Sequence, residues 1–153
     1  MAKDLDLKKG VDFIGVTCVF FCYDGKGNIL LHKRSKNCRD EHGRWDSGSG
    51  SMEFGETFEE TVIREIREEY CVTPSEIQLC STTNVIRMNC DQKTHWVANT
   101  FVAKIDDPEN VKIGEPHKMD EIGWFPLAKF PQPLHSMLME QLKLIEDSGM
   151  RIF

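Results

Sequence analysis

The chain has 153 residues, 40% of them apolar, which is enough to enclose the core of one domain spanning 1–153. Its formal charge of −6 argues against a general binder of nucleic acid or of anionic membranes, and an anionic ligand would be repelled unless bound cations reversed the local field. The opening MAKDLDLKKGVDF lacks the pattern of a secretory signal, and the apolar run from Phe13 to Cys22 is too short to span a bilayer.

Val11 to Tyr23 is rich in β-branched and aromatic residues and ends at Asp24-Gly25-Lys26-Gly27-Asn28, a turn-forming run. Ile29 to Lys33 then begins a second strand, so the first element is predicted to be a hairpin. Thr57 followed by Glu60 has the spacing of a capping box, which places a helix from near Phe58 to about Tyr70. Ile77 to Met88 and Trp96 to Ile105 read as strands, the segments around Pro108 and Pro116 as loops, and Ile122 to Phe125 as a short strand. After Pro131-Gln132-Pro133, residues Leu134, Met137, Leu138, Leu142 and Ile145 recur at helical spacing up to Gly149. Strands interleaved with two helices imply helical layers on a mixed sheet. The six cysteines (Cys18, Cys22, Cys38, Cys71, Cys80 and Cys90) form no C-x2-C pair, which argues against zinc and for reduced thiols in a cytoplasmic protein.

The first helix carries the chemistry. At about 100° per residue, Glu65, Glu68 and Glu69 fall within an arc of roughly 100°, while Val62, Ile63, Ile66 and Tyr70 fill the adjoining arc. On an open surface such a stripe is simply a solvated acidic face. In a cleft, two carboxylates about 5.5 Å apart repel by roughly 3 kcal/mol at an effective dielectric of 20, and three of them need a cation. Carboxylate oxygens suit Mg²⁺ or Mn²⁺, ions that commonly bridge to substrate phosphates.

The segment from Gly50 to Val72 resembles the Nudix box, G-x5-E-x7-R-E-U-x-E-E-x-G-U with U aliphatic. Gly50, Glu56, Arg64, Glu65, Ile66, Glu68, Glu69 and Val72 match in register, and Cys71 stands where the family has glycine. That glycine ends the helix in a left-handed conformation, so Cys71 is expected there at a small cost. The resemblance implies an α/β/α sandwich that uses divalent metal and water to break the phosphoanhydride of a nucleoside diphosphate joined to another group, releasing a nucleoside monophosphate.

The resemblance also implies roles for single residues. Glu68 and Glu69 would be the leading metal ligands, with Glu65 a third ligand or the base, and the Gly50 carbonyl a further oxygen donor. Arg64 would orient the site, pairing along the helix with Glu60 and Glu68. Glu56 would brace the preceding loop. Lys33 and Arg34 either hold phosphate or are a polar strand end. In the run from Glu115 to Leu127, Glu121 is the preferred extra acidic ligand or base and Glu115 the second choice. Trp96 and Trp124 either stack on a nucleobase or belong to the core. His95 and His135 are assigned no role.

The E-P-x-K-x-x-E-x-x-W-F-P-L run is most similar to the MutT-type branch, acting on a nucleoside triphosphate or related nucleotide. ADP-ribose, nucleotide sugars and dinucleoside polyphosphates are alternative substrates. A catalytically weak nucleotide-binding module is another reading, as is an unrelated domain with an acidic surface. The expected partner is a small-molecule nucleotide, with no nucleic acid and no membrane. Oligomeric state is left open, with a homodimer among the options.

Overall fold

The computed structural model describes residues 5–153. Strand β1 (Gly15–Tyr23) sends Cys18, Phe20 and Cys22 to one face and Val19 and Phe21 to the other, and both sets are buried. It turns at Asp24, whose carboxylate accepts hydrogen bonds from the amides of Lys26 and Asn28, and returns as β2 (Ile29–Arg34). The two strands pair only at Tyr23 and Ile29 and then splay apart. Beyond the split, β3 (Trp45–Asp46) and β7 (Met119–Phe125) pair with β2, and β4 (Gly48–Ser51) takes the freed edge of β1. On the other side, β6 (Gln92–Lys104) runs parallel to β1 and antiparallel to β5 (Glu76–Asn89).

The result is one mixed seven-stranded sheet with a helix on each face, the expected α/β/α sandwich. Helix α1 (Phe58–Tyr70) covers one face through Val62, Ile66 and Tyr70, and α2 (Leu138–Asp147) covers the other through Leu138 and Ile145. No helix among the described residues is long and apolar enough to cross a membrane.

Helix α1 has the expected bounds because both ends are chemically defined. Thr57 Oγ1 accepts from the Glu60 amide at 3.2 Å, which fixes the start. Cys71 lies at φ 62°, ψ 26°, the left-handed conformation expected of it, and its amide donates to the Arg67 carbonyl. The next free carbonyls, of Glu69 and Tyr70, accept from the amides of Gly114 and Lys112 at 2.8 and 3.1 Å. That contact requires glycine, since a Cβ at residue 114 would lie 1.9 Å from the Glu68 carbonyl oxygen. It also anchors Glu115, the next residue, beside the helix.

Several boundaries differ from the sequence reading, each for a local reason. β1 starts at Gly15 instead of Val11 because Gly10 donates its amide to the Phe13 carbonyl and closes a turn. The β5–β6 hairpin extends to Asn89 and Gln92 because Cys90 and Asp91 both take positive φ, supplying a tight turn without the usual Asn-Gly signal. α2 begins at Leu138, not after Pro133. The residues between are held to β3, with the Trp45 amide donating to the Pro133 carbonyl and the His135 amide to the Trp45 carbonyl.

A residue with a Cβ in the left-handed region costs about 1 kcal/mol relative to glycine. Cys71→Gly should therefore be neutral or raise stability by up to about 1 kcal/mol, the gain being offset in part by the freer unfolded chain. Equilibrium urea unfolding measures this, and a loss of more than about 1 kcal/mol would show that the thiol makes a contact the backbone argument omits.

Candidate active site

Helix α1 lies so close to β4 that a Cβ on Gly50 would sit 2.0 Å from Cδ of Glu65. The Glu65 side chain crosses the bare backbone there, and the Gly50 carbonyl accepts a hydrogen bond from Thr17 Oγ1 at 3.0 Å. Beside it, Arg64 grips Glu56 with two bonds, Nε to Oε2 at 2.7 Å and Nη2 to Oε1 at 2.9 Å. Its remaining contacts reach Glu65 at 2.7 Å, the Ser51 carbonyl at 3.2 Å and Glu68 at 3.4 Å. Glu60, expected as a helical partner, forms no ion pair with Arg64, because the fork-shaped guanidinium is taken by the better-matched Glu56. Glu56 also accepts from the Glu53 amide and Thr61 Oγ1, so it braces the loop as expected, and Arg64 holds its carboxyl down to about 2.

Glu65, Glu69 and Glu115 each offer a carboxylate oxygen within 4.8 Å of the others. Glu69 is 7% exposed, and its Oε2 has no hydrogen-bond partner. Burial, then the charges of Glu65 and Glu115, push its carboxyl well above the usual range. Burial also raises Glu65, although Arg64 opposes the shift. Glu115 has Lys118 Nζ at 3.1 Å. Three converging carboxylate oxygens, one of them from the buried Glu69 with its unpartnered Oε2, fit a hard divalent cation such as Mg²⁺ or Mn²⁺.

Two expected acidic groups lie elsewhere. The Glu68 side chain is 52% exposed and turned along the helix to Arg64. Glu121 is exposed on β7, opposite Lys33, on strand residues that face away from the triad. Glu115, the second choice, is the one brought to Glu65 and Glu69, because the 112–114 backbone is tied to the end of α1.

A cavity of about 520 Å³ opens where β1 and β2 separate, and Glu69 lies in its wall with Thr17, His32, Arg34, Asp46 and Trp96. Arg34 is paired with Asp40 at 3.0 Å and with the buried Asp46 at 3.6 Å. Burial raises the Asp46 carboxyl, against the pull of His135 and Arg34. Lys33, the neighbour of Arg34 on the opposite pleat, is not part of this wall. Trp96 packs over Gly10 and Gly15, where any Cβ would overlap the indole. Trp124 is elsewhere, packed into the core under α1 with Nε1 donating to the Pro108 carbonyl at 3.2 Å.

The sequence reading gave no part to His32, Asp46 or His135. His135 reaches the wall between Glu41 and Asp46, 3.7 and 3.9 Å away. For His32 a signal existed, a titratable residue at an inward position of an apolar strand. For Asp46 there was none, because β3 is two residues long and shows no alternation.

Comparisons with known proteins identify the family. The profile of the NUDIX domain matches residues 13–147, and the chain belongs to that family. It is similar to the 8-oxo-dGDP phosphatase NUDT18 of Mus musculus, 25% identical over 134 residues that make up 85% of this chain and 37% of the mouse protein. It is also similar to the RNA pyrophosphohydrolase of Acinetobacter baylyi, 26% identical over 141 residues, covering 78% of this chain and 81% of that one. Among solved structures, the MutT NUDIX hydrolase of Burkholderia pseudomallei superposes with a TM-score of 0.75 at 29% identity, over 86% of this chain and 98% of that one. Its fold and box are those of a NUDIX domain. The chain spans well under half the length of the mouse relative.

Two carboxyls give opposite pH behaviour. Glu56 titrates lower folded than unfolded, so its contribution to stability is present above its ordinary value of 4.5 and lost as pH falls towards 2. Glu56→Gln should flatten that acid limb in melts run from pH 6 to 2. Glu69 titrates higher folded than unfolded, so it costs stability as pH rises above 4.5. In EDTA at pH 7, Glu69→Gln should therefore melt at a higher temperature than the parent chain. An unchanged or lower melting temperature would mean that the Glu69 carboxylate has a partner in the metal-free fold.

Proposed function

We propose that this domain hydrolyses a phosphoanhydride bond in a nucleoside triphosphate or a related nucleoside diphosphate derivative, releasing a nucleoside monophosphate with Mg²⁺ or Mn²⁺ bound. The observation that carries the reading is the unpartnered, dehydrated Glu69 oxygen facing Glu65 and Glu115 at the wall of a nucleotide-sized cavity. The names of the mouse and Acinetobacter relatives, an 8-oxo-dGDP phosphatase and an RNA pyrophosphohydrolase, are consistent with it.

In this reading Glu65, Glu69 and Glu115 hold the metal, with the Gly50 carbonyl as a further donor and Glu68 turning in from Arg64 to join them. A divalent ion held there would supply neutralisation of phosphate oxygens and a lowered pKa for the attacking water. Arg64 acts as a positioning residue, holding Glu65 while Glu56 holds Arg64. A carboxylate of this set that is not fully engaged by metal takes the water's proton, and Glu65 fits best because Arg64 keeps its charged form available. Arg34 lines the same cavity and offers phosphate a guanidinium that it shares with Asp40 and Asp46. The partner is a small-molecule nucleotide in a cytoplasmic setting.

A second cavity of about 320 Å³, between α2 and the β5–β6 hairpin, shares Val85, Ala98, Met137 and Gln141 with the first. It favours, as a second reading, a substrate with a further group beyond the diphosphate, such as ADP-ribose or a nucleotide sugar.

A panel of nucleoside triphosphates and nucleotide conjugates, incubated with Mg²⁺ and scored for products, separates these readings. Triphosphates should yield pyrophosphate and conjugates a phosphorylated second group. EDTA should abolish turnover, and Glu69→Gln and Glu68→Gln should each lower it at least about a hundredfold, equivalent to about 2.7 kcal/mol. Hydrolysis that persists in chelator would overturn the proposal.

A further inference from the structure

The His32 ring is held in place by a buried hydrogen bond to Tyr70. The two side chains meet at Nδ1 and Oη, 2.7 Å apart, and both are buried, His32 to 6% exposure and Tyr70 to 1%. Among the described residues, His32 is the partner the Tyr70 hydroxyl has, so its proton is satisfied only by donation to Nδ1. Nδ1 is then the acceptor, and the ring proton is carried by Nε2. With Nδ1 turned to Tyr70, Nε2 lies on the opposite edge of the ring, and His32 lines the cavity together with Arg34 and Glu69.

We infer that His32 is a substrate-positioning residue whose Nε2–H, fixed in that tautomer by the Tyr70 hydroxyl, donates a hydrogen bond to a non-bridging phosphate oxygen of the bound diphosphate. This inference rests on the diphosphate chemistry proposed above. The neighbourhood explains why a neutral donor serves here. A cationic side chain beside a divalent ion would repel it by kcal/mol quantities at this range, whereas an imidazole N–H binds a phosphate oxygen without opposing metal. Burial, with Arg34 and His135 nearby, pushes the His32 imidazole down to about 3, so it stays neutral at physiological pH and is a poor base. The same burial makes the tautomer hard to reverse, because a flip would leave the Tyr70 hydroxyl proton with no acceptor.

The test uses the full chain with ¹⁵N-labelled histidine, Mg²⁺ and methylenediphosphonate, a diphosphate that water cannot cut at its bridge. Long-range ¹H–¹⁵N spectra, with His32 assigned by its absence in His32→Gln, should show Nε2 protonated and Nδ1 accepting in the free protein. Addition of Mg²⁺ and methylenediphosphonate should shift the Nε2–H signal and leave Nδ1 in place. His32→Met should weaken binding about tenfold, while His32→Gln, which keeps an N–H near the Nε2 position, should stay within about twofold of the parent. The double variant His32→Met with Tyr70→Phe removes the stranded hydroxyl, so it folds if the single variant does not, and it should show the same tenfold loss. An Nδ1–H tautomer in the free protein, an unmoved Nε2 at saturation, or parental affinity in the double variant overturns the assignment while the hydrolase reading stands. If methylenediphosphonate with Mg²⁺ fails to bind the parent chain, both fall together.

Discussion

Holding three carboxylates within 4.8 Å of one another is the constraint from which the rest of this structure follows. At an effective dielectric of 20, each like pair at that separation opposes folding by about 3 kcal/mol. The opposing term lies on the same helix. Val62, Ile66 and Tyr70 are fully buried against the sheet, and burying each side chain stabilises by about 1.5–3 kcal/mol. One stripe of α1 thus anchors the helix firmly enough for the adjoining stripe to be held in an unfavourable arrangement. Arg64 lessens the strain on Glu65, whereas Glu69 has no hydrogen-bonded cation, and its Oε2 is among the buried polar atoms left without a partner in the described residues.

The carboxylates come from two segments, α1 and the loop after β6, and small residues make this convergence possible. Gly50 lets the Glu65 side chain lie across β4, and Gly114 lets the loop after β6 touch the last turn of α1, which carries Glu115 to the triad. The cavity has a different origin. It exists because β1 and β2 part after a single paired position and recruit separate neighbours, leaving a gap in the sheet beside the charged end of α1. A register slip between Lys33 and Arg34, with Asp120 opposite no residue of β2, sits at the edge of that gap and coincides with the change of direction at Arg34.

These origins explain what could be read beforehand. Helix α1 was legible to the residue, because capping chemistry, apolar period and the box motif all act over short distances. Its left-handed end at Cys71 was legible too, although the residue is atypical for the position. The long strands were legible in kind, and their ends were not, since the β5–β6 turn uses Cys90 and Asp91 in place of the usual turn residues. β3 and β4 are too short and too poor in large side chains to leave a periodic trace, so the split in the sheet, and with it the cavity wall at Asp46, was invisible. The choice between Glu115 and Glu121 depended on a backbone contact between residues far apart in sequence. The family resemblance favoured Glu121, and the fold brings Glu115.

The charge balance of the cavity ties these features together. A chain of net charge −6 presents Arg34 to its cavity already paired with Asp40 and Asp46, and Lys118 already paired with Glu115. Neither side chain is a free cation waiting for an anion. An anionic ligand therefore gains little from the protein alone, and in the proposed function the attraction comes from ions gathered by Glu65, Glu69 and Glu115. Neutral donors complete such a site better than further basic residues, because each added positive charge would weaken the hold on the ions that do the attracting. The buried His32 and Tyr70 pair meets that requirement, keeping an N–H at the wall without a charge. On this argument the acidic character of the chain is a means of making phosphate binding conditional on metal.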